Sequence, residues 1–284
     1  MTSSTNVQLL IIDPQNDFCD IPAGEQPADP LQPGRTLIPA LPVSGADQDM
    51  KRLAAFIDRA GDRLSDIHVT LDSHNPMDIA HPTWWTNGDG LAPAPFTVIT
   101  ANDLAHGLWR ARNPLLQERS RQYVEQLEAA QRYALVVWPE HCLIGHWGHN
   151  VHATVARSLD HWARRNLRVV DYVAKGSNPF TEHYSAVQAE VPDASDPGTQ
   201  LNSRLIRTLS DADSVIVAGE ALSHCVANTV RDIANNIGEH NIAKLVLLTD
   251  CCNSVGGFEQ LGAEFVAELQ ARGMKTARST DYML

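Results

Sequence analysis

Six short apolar runs, separated by amphipathic helical stretches, narrow the folds open to this chain more than any other feature. Residues 7–12, 67–71, 133–137, 167–173, 214–218 and 245–248 are nearly continuous in β-branched and other apolar side chains. Runs without polar alternation mark strands covered on both faces. Between them, 50–62 carries Leu53, Phe56 and Ile57 on one stripe, and 151–165 carries Val151, Val155, Leu159 and Trp162. The stretch 226–237 repeats the pattern with Val226, Val230, Ile233 and Ile237, and 258–272 closes the chain. Strand alternating with helix predicts an α/β protein with a parallel sheet, as one domain over 1–284.

Composition removes several classes of function. With 43% hydrophobic and 20% charged residues the chain is globular rather than disordered. A formal net charge of −12 offers no basic footprint, so no nucleic-acid partner is expected. The N-terminal MTSSTNVQLLIIDPQ lacks a basic stretch, and its apolar run is too short for a signal peptide or membrane span. The expectation is a cytoplasmic protein with no membrane partner. Its five cysteines (Cys19, Cys142, Cys225, Cys251, Cys252) are odd in number, irregularly spaced and form no CxxC, which predicts free thiols. Residues 21–45 read as a long loop. Residues 76–132, with Trp84, Trp85, Phe96, Trp109 and a helix around 114–130, read as an insertion. It is expected to be a lid or a subunit contact, the latter implying a homo-oligomer.

In an open parallel sheet, ligands bind beyond the carboxyl ends of the strands. The residues just past each apolar run are therefore the informative ones. Asp13 comes after the first run, in IIDPQNDF, and Asp72-x-His74 after the second, with His81 beyond it. Trp138 to Cys142 (WPEHC) stand past the third, and Lys175 (YVAKGSNP) past the fourth. GEALSHCV, with Cys225, succeeds the fifth, and Thr249-Asp250-Cys251-Cys252 the sixth.

Cys225 opens a helix, where free N–H groups and the helix dipole favour a thiolate. Backbone N–H groups in such a turn can also form an oxyanion hole. Asp13 is placed to take and return a proton, and Lys175 to hold Asp13 ionised. Asp72, His74 and His141, with His81 as a fourth, suit one divalent Zn, Fe or Mn ion. A lone buried cysteine is ordinarily a small hydrophobe, and scattered histidines are ordinarily surface residues. Convergence of these groups on one rim favours chemistry instead. His146, His149 and His152 are assigned to the polar face of the helix that comes next, Asp250 to capping its turn, and Cys142 to packing.

DPQNDF, DxH, WPxHC, YxxKGxNP, Gly-x-Ala-x-x-x-Cys-Val and TDxC, in that order over 7–254, resemble the isochorismatase-like cysteine hydrolases. Within that superfamily the chain is most similar to nicotinamidases of the pyrazinamidase type. The resemblance implies a three-layer α/β/α sandwich around a six-stranded, mostly parallel sheet. It implies an Asp13, Lys175 and Cys225 triad that hydrolyses a small planar carboxamide through a thioester, releasing ammonia. It also implies Asp72, His74, His141 and His81 as metal ligands, with the metal holding a substrate ring nitrogen. Phe18 and Trp138 would sandwich that ring, and Tyr184 and His224 would complete the pocket. A cis peptide between Glu220 and Ala221 would shape the oxyanion hole with the N–H groups of Ala221 and Cys225. The chain departs from the pattern in four places: the long His74–His141 span, the seven-residue step to His81, Glu220 where an aliphatic residue is usual, and GHWGHNVH where a glycine-rich loop is usual after WPxHC. Glu220 is expected to alter what the pocket accepts. A carbamoyl or ureido substrate, or a non-catalytic binding role, are the alternative readings.

Overall fold

The structure, a computed structural model, describes residues 5–130 and 132–282. The two ends of the 1–284 span, and residue 131 of the 76–132 insertion, lie outside the described residues. The strands are β1 (Val7–Ile12), β2 (Asp66–Asp72), β3 (Trp85–Thr86), β4 (Val98–Ile99), β5 (Arg110–Ala111), β6 (Leu135–Val136), β7 (Asp171–Lys175), β8 (Ser214–Gly219), β9 (Leu245–Leu248) and β10 (Lys275–Ala277). The helices are α1 (Ala46–Ala60), α2 (Ala101–Ala105), α3 (Gln117–Ala129), α4 (Ala153–Asn166), α5 (Ser203–Ser210), α6 (Ala227–Asn236) and α7 (Glu259–Ala271).

Six strands form one all-parallel sheet in the order β10-β9-β8-β1-β2-β7. From β1 the chain steps outward through β2 to β7, then crosses to β8 and steps the other way to β10. With right-handed crossovers, that reversal sends α1 and α4 to one face and α5, α6 and α7 to the other. A three-layer sandwich results. The reversal point lies between neighbouring β1 and β8, paired from Val7↔Ser214 to Ile12↔Gly219. A crevice opens there beyond the carboxyl ends of the strands.

The sheet has six strands, but one is not where the apolar runs place it. In the run 133–137 only Leu135 and Val136 form a strand, and it pairs antiparallel with β4 outside the main sheet. The sixth place belongs to β10, whose three residues Lys-Thr-Ala are too short and polar to register as an apolar run. The run 167–173 also starts late. Leu167 ends α4 in the left-handed conformation (φ 53°), and β7 begins at Asp171. As an edge strand, β7 exposes Tyr172 and Ala174 while Val173 and Lys175 point inward.

Helix α1 buries Met50, Leu53, Phe56 and Ile57, as its stripe predicts, but begins four residues early at Ala46. The cause is a remote cap: the Gly45 and Asp47 N–H groups donate to the Asp20 carboxylate at 2.8 and 2.9 Å. The insertion builds a second small core from Ile79, Trp84, Trp85, Ile99, Tyr123, Val124 and Leu127. Trp84 Nε1 donates to Ser120 Oγ (2.9 Å) and Trp85 Nε1 to Ile79 O (2.7 Å). Trp84 and Trp85 are thus buried within the insertion, with Trp109 partly buried against them. All five cysteines are free and buried. Among the described residues, no helix is long and apolar enough to cross a membrane.

Candidate active site

Asp13 stands one residue beyond β1 with φ 44°. The Thr70 hydroxyl on neighbouring β2 accepts from the Asp13 N–H (3.0 Å) and donates to Asp13 Oδ1 (2.5 Å). Lys175, the last residue of β7, brings its Nζ to 3.0 Å from Asp13 Oδ2 and 2.9 Å from Asp72 Oδ1. It also donates to His183 O (2.8 Å) and lies 3.7 Å from Cys225 Sγ. Carboxylate oxygens of Asp13 and Asp72 and the Cys225 sulfur lie within 4.8 Å of one another.

Cys225 sits in a π-helical turn, Leu222–Val226, that leads into α6. The turn is reached through Gly219 (φ 121°), where an added Cβ would lie 1.9 Å from Ile12 O. Only glycine lets β8 pass β1 so closely. The next peptide, Glu220–Ala221, is cis, as the resemblance implies.

Electrostatics divide these groups. Burial pushes the Cys225 thiol well above the usual range, with Lys175 pulling the other way. Burial also raises Asp13, against the lowering effect of Lys175. Burial would lower Lys175, but the Asp13 and Asp72 carboxylates outweigh it and hold the ammonium charged.

The histidines gather on the other side of Asp72. Asp72 Oδ2 is 3.1 Å from His74 Nε2 and 3.4 Å from His141 Nε2. Ring nitrogens of His74, His81 and His141 lie within 4.8 Å of one another, all three side chains buried. His74 Nδ1 pairs with Asp78 Oδ2 (3.0 Å) and His141 Nδ1 with Pro139 O (2.8 Å), so each ring turns Nε2 toward the common centre. Both nitrogens of His81 are buried without a partner among the described residues. An orphaned imidazole facing two others and a carboxylate is the chemistry of a borderline divalent cation. The residues fit such an ion.

A narrow, mostly apolar cavity opens above Cys225. Phe18, Leu41, Trp138, Glu182, Tyr184, Ala221, His224 and Val255 line it, with Asp72 and His141 at one side. Trp138 Nε1 donates to Tyr184 Oη (2.9 Å), and Trp138 meets His224 edge-on at 5.1 Å between centroids. Burial holds His224 neutral, with its pKa down to about 4. Of the site residues named from the sequence, Phe18, Asp72, Trp138, His141, Tyr184, Ala221, His224 and Cys225 line this cavity, and Lys175, Asp13, His74 and His81 stand behind Asp72; the Glu220 side chain does neither. That carboxyl turns away from the cavity, toward Asp49 and Asn253. It does not line this cavity.

Solved structures share this architecture, although no family model and no curated relative matches the chain by sequence. The nicotinamidase/pyrazinamidase of Acinetobacter baumanii superposes with a TM-score of 0.61 at 20% identity, over 99% of this chain and 100% of the other. The yeast nicotinamidase bound to the inhibitor nicotinaldehyde gives 0.61 at 17% identity, over 96% and 99%. The Pyrococcus horikoshii pyrazinamidase in complex with zinc gives 0.52 at 18%, over 96% and 99%. The fold is that of the nicotinamidases.

Several residues escaped the sequence reading. Glu182 lines the cavity with Oε2 unpartnered, while Oε1 accepts from the His183 N–H at 2.8 Å. Asp17 accepts from the N–H groups of Ala40 (3.0 Å) and Cys142 (2.7 Å), tying the Leu41 loop to the His141 loop. Cys142 is buried outside the cavity, as expected of a packing residue. His149 and His152 are not on a helix face. His149 ends a 3-10 turn (Trp147–His149) ahead of α4, against Ser73 Oγ (2.9 Å), and His152 is the N-cap of α4, buried against Asp47 Oδ1 (3.2 Å). Asp250 does not cap its own turn but accepts from the Ser279 N–H (2.7 Å) and hydroxyl (2.9 Å) after β10.

Proposed function

We propose that this chain is an amidohydrolase that converts a small planar carboxamide of the nicotinamide class to its acid and ammonia. The observation that carries the reading is Lys175, whose Nζ lies 3.0 Å from Asp13 and 3.7 Å from Cys225 at the floor of an aromatic-walled cavity. It is supported by the structural likeness to nicotinamidases and pyrazinamidases, one of them bound to nicotinaldehyde and another in complex with zinc.

With its thiol protonated at rest, Cys225 attacks the amide carbon as Asp13 accepts the thiol proton. Lys175 stays charged throughout and stabilises the sulfur as charge develops on it. The carbonyl oxygen becomes an oxyanion, which the backbone N–H groups of Ala221 and Cys225 would receive. Asp13 then gives its proton to the nitrogen, the C–N bond breaks, and ammonia leaves a Cys225 thioester. Water hydrolyses the thioester, with Asp13 taking a proton from the water and returning one to sulfur.

Phe18 and Trp138 hold the ring between them, and Tyr184 and His224 bound its edge. Asp72, His74 and His141, with His81, would hold one divalent zinc, iron or manganese ion, which when bound supplies a Lewis acid for a ring nitrogen. The test is ammonia release from nicotinamide by the wild type and by Cys225→Ala. Release by the wild type alone supports the reading. Equal rates, or none from either, overturn it.

A further inference from the structure

Glu220 sits between the reversal point of the sheet and the reacting thiol, and its carboxyl is fully buried. Oε2 accepts from the Asn253 N–H at 3.1 Å, whereas Oε1 has no donor among the described residues. The Asp49 carboxyl on α1 stands beside it, because Asn253 holds both: its N–H donates to Glu220 Oε2 and its side-chain amide donates to Asp49 Oδ2. Asp49 already accepts from the Arg52 guanidinium and the Asn253 side-chain amide. Two buried carboxyl groups held side by side on one residue favour sharing a single proton. Asp49 has two donors that favour its anion and Glu220 has only a backbone N–H, so the proton belongs to Glu220. Burial, with Asp49 and Asp20 nearby, likewise pushes Glu220 well above the usual carboxylate range. The charged and titratable groups around it are Asp49 and Arg52 from α1, Cys19 and Asp20 from the preceding loop, and Cys252 after β9.

The same turn is tied at both ends. The Glu220 N–H donates to Ile12 O (2.8 Å) and the Leu222 N–H to Asn253 O (2.7 Å). The Val255 N–H donates to Ser223 Oγ (3.1 Å). Between these ties Ala221 faces the cavity, and its N–H has no acceptor among the described residues.

We propose that Glu220 is a positioning residue: its buried side chain, held by the Asn253 N–H beside Asp49, fixes the turn so that the Ala221 N–H meets the substrate oxygen at Cys225. The proposal rests on the amidase reading. An N–H aimed at the oxyanion acts in the transition state, so its displacement lowers kcat and leaves KM nearly unchanged. Raising pH ionises Glu220 beside Asp49, drives the pair apart and gives the wild type an alkaline fall in kcat.

The experiment measures kcat and KM for nicotinamide against pH in the wild type, Glu220→Gln and Glu220→Ala, with infrared spectra of the first two. The amide of Glu220→Gln can still donate to Asp49 and accept from Asn253, so kcat at neutral pH is kept and the alkaline fall is lost. Glu220→Ala lowers kcat by about 10-fold at all pH. At neutral pH the wild type shows a protonated-carboxyl band that Glu220→Gln removes. An unchanged alkaline limb in Glu220→Gln, or a kcat undiminished in Glu220→Ala, overturns the positioning role. Absence of the band overturns the shared proton whatever the activity. Failure of the wild type to release ammonia, with the band present, overturns the amidase reading and with it the positioning role, but not the carboxyl pair.

Discussion

Lys175 Nζ lies 2.9 Å from Asp72 Oδ1, and through this contact one buried ammonium joins the Cys225 thiol to the carboxylate that faces three histidines. Asp72 is therefore shared: Oδ1 belongs to the lysine and Oδ2 to His74 and His141. The geometry couples the sulfur side of the site to the histidine side, because neither carboxylate near Lys175 is tolerable in the interior without its charge.

Lys175→Met tests that coupling. It leaves Asp13 and Asp72 buried without their cation, and losing one partner of a buried ion pair costs about 3–5 kcal/mol. Urea unfolding should show a loss of this order at neutral pH. The loss should shrink on acidification, because Asp13, already raised by burial, is then protonated and no longer a buried charge. A destabilisation independent of pH would mean that the lysine acts through packing alone.

The histidine cluster makes a prediction separable from activity. Purified protein should carry about one zinc, iron or manganese per chain by elemental analysis. His141→Ala, which removes a nitrogen aimed at Asp72, should lose most of it. Cys142→Ala should keep it, since that sulfur is outside the cavity. Chelation should also lower the wild-type melting temperature, because metal binding to the folded state contributes to stability. Metal retained in His141→Ala would refute this ligand set.

Most of the site was legible because its groups stand just past apolar strands: Asp13 after β1, Asp72 ending β2, Lys175 ending β7, and Cys225 beyond β8. Position along the sheet carried that information, so it survived a wrong assignment of the sixth strand. The reason for expecting His141 is partly mistaken, since β6 is outside the main sheet and its loop is held by backbone bonds with His74 and by the Asp17 contact to the Cys142 N–H. Glu182 and Asp78 left no signal, and Asp17, although part of DPQNDF, carried no sign of its role there. Each acts through a contact set by tertiary folding, with no periodicity or spacing to announce it. The direction of Glu220 was unreadable for a similar reason: only the packed structure shows that Asp49 and Asn253 await it.

Asp17 gives the third prediction. Its two carboxylate oxygens receive the Ala40 and Cys142 N–H groups, and Gly148 packs so closely that an added Cβ would lie 2.0 Å from Oδ2. Asp17→Ala should uncouple the two loops, which keep only their backbone bonds, among them Leu41 N–H to Asp17 O and Ile144 N–H to His74 O. Metal content should fall through His141, and KM should rise through Leu41, while the Cys225 chemistry is left in place. Unchanged metal content and KM would show that the loops hold themselves.

Glu190 gives the last. It is buried with Arg132 Nε 3.7 Å away, and neither carboxyl oxygen has a hydrogen-bond partner among the described residues. Burial, with Asp232 and Glu182 nearby, raises its pKa from the ordinary 4.5 to about 7 against the pull of Arg132. Between those two values the folded state binds the proton more tightly than the unfolded state. Stability therefore falls as pH rises through this window, and the full cost, on the order of 3 kcal/mol, is present above it. Glu190→Gln keeps the shape without the charge. Relative to wild type it should be stabilised at about pH 8 and nearly unchanged at about pH 4.5, where both forms are largely neutral when folded. Urea midpoints at the two pH values check this, and an equal offset at both would show that the carboxyl does not titrate in this window.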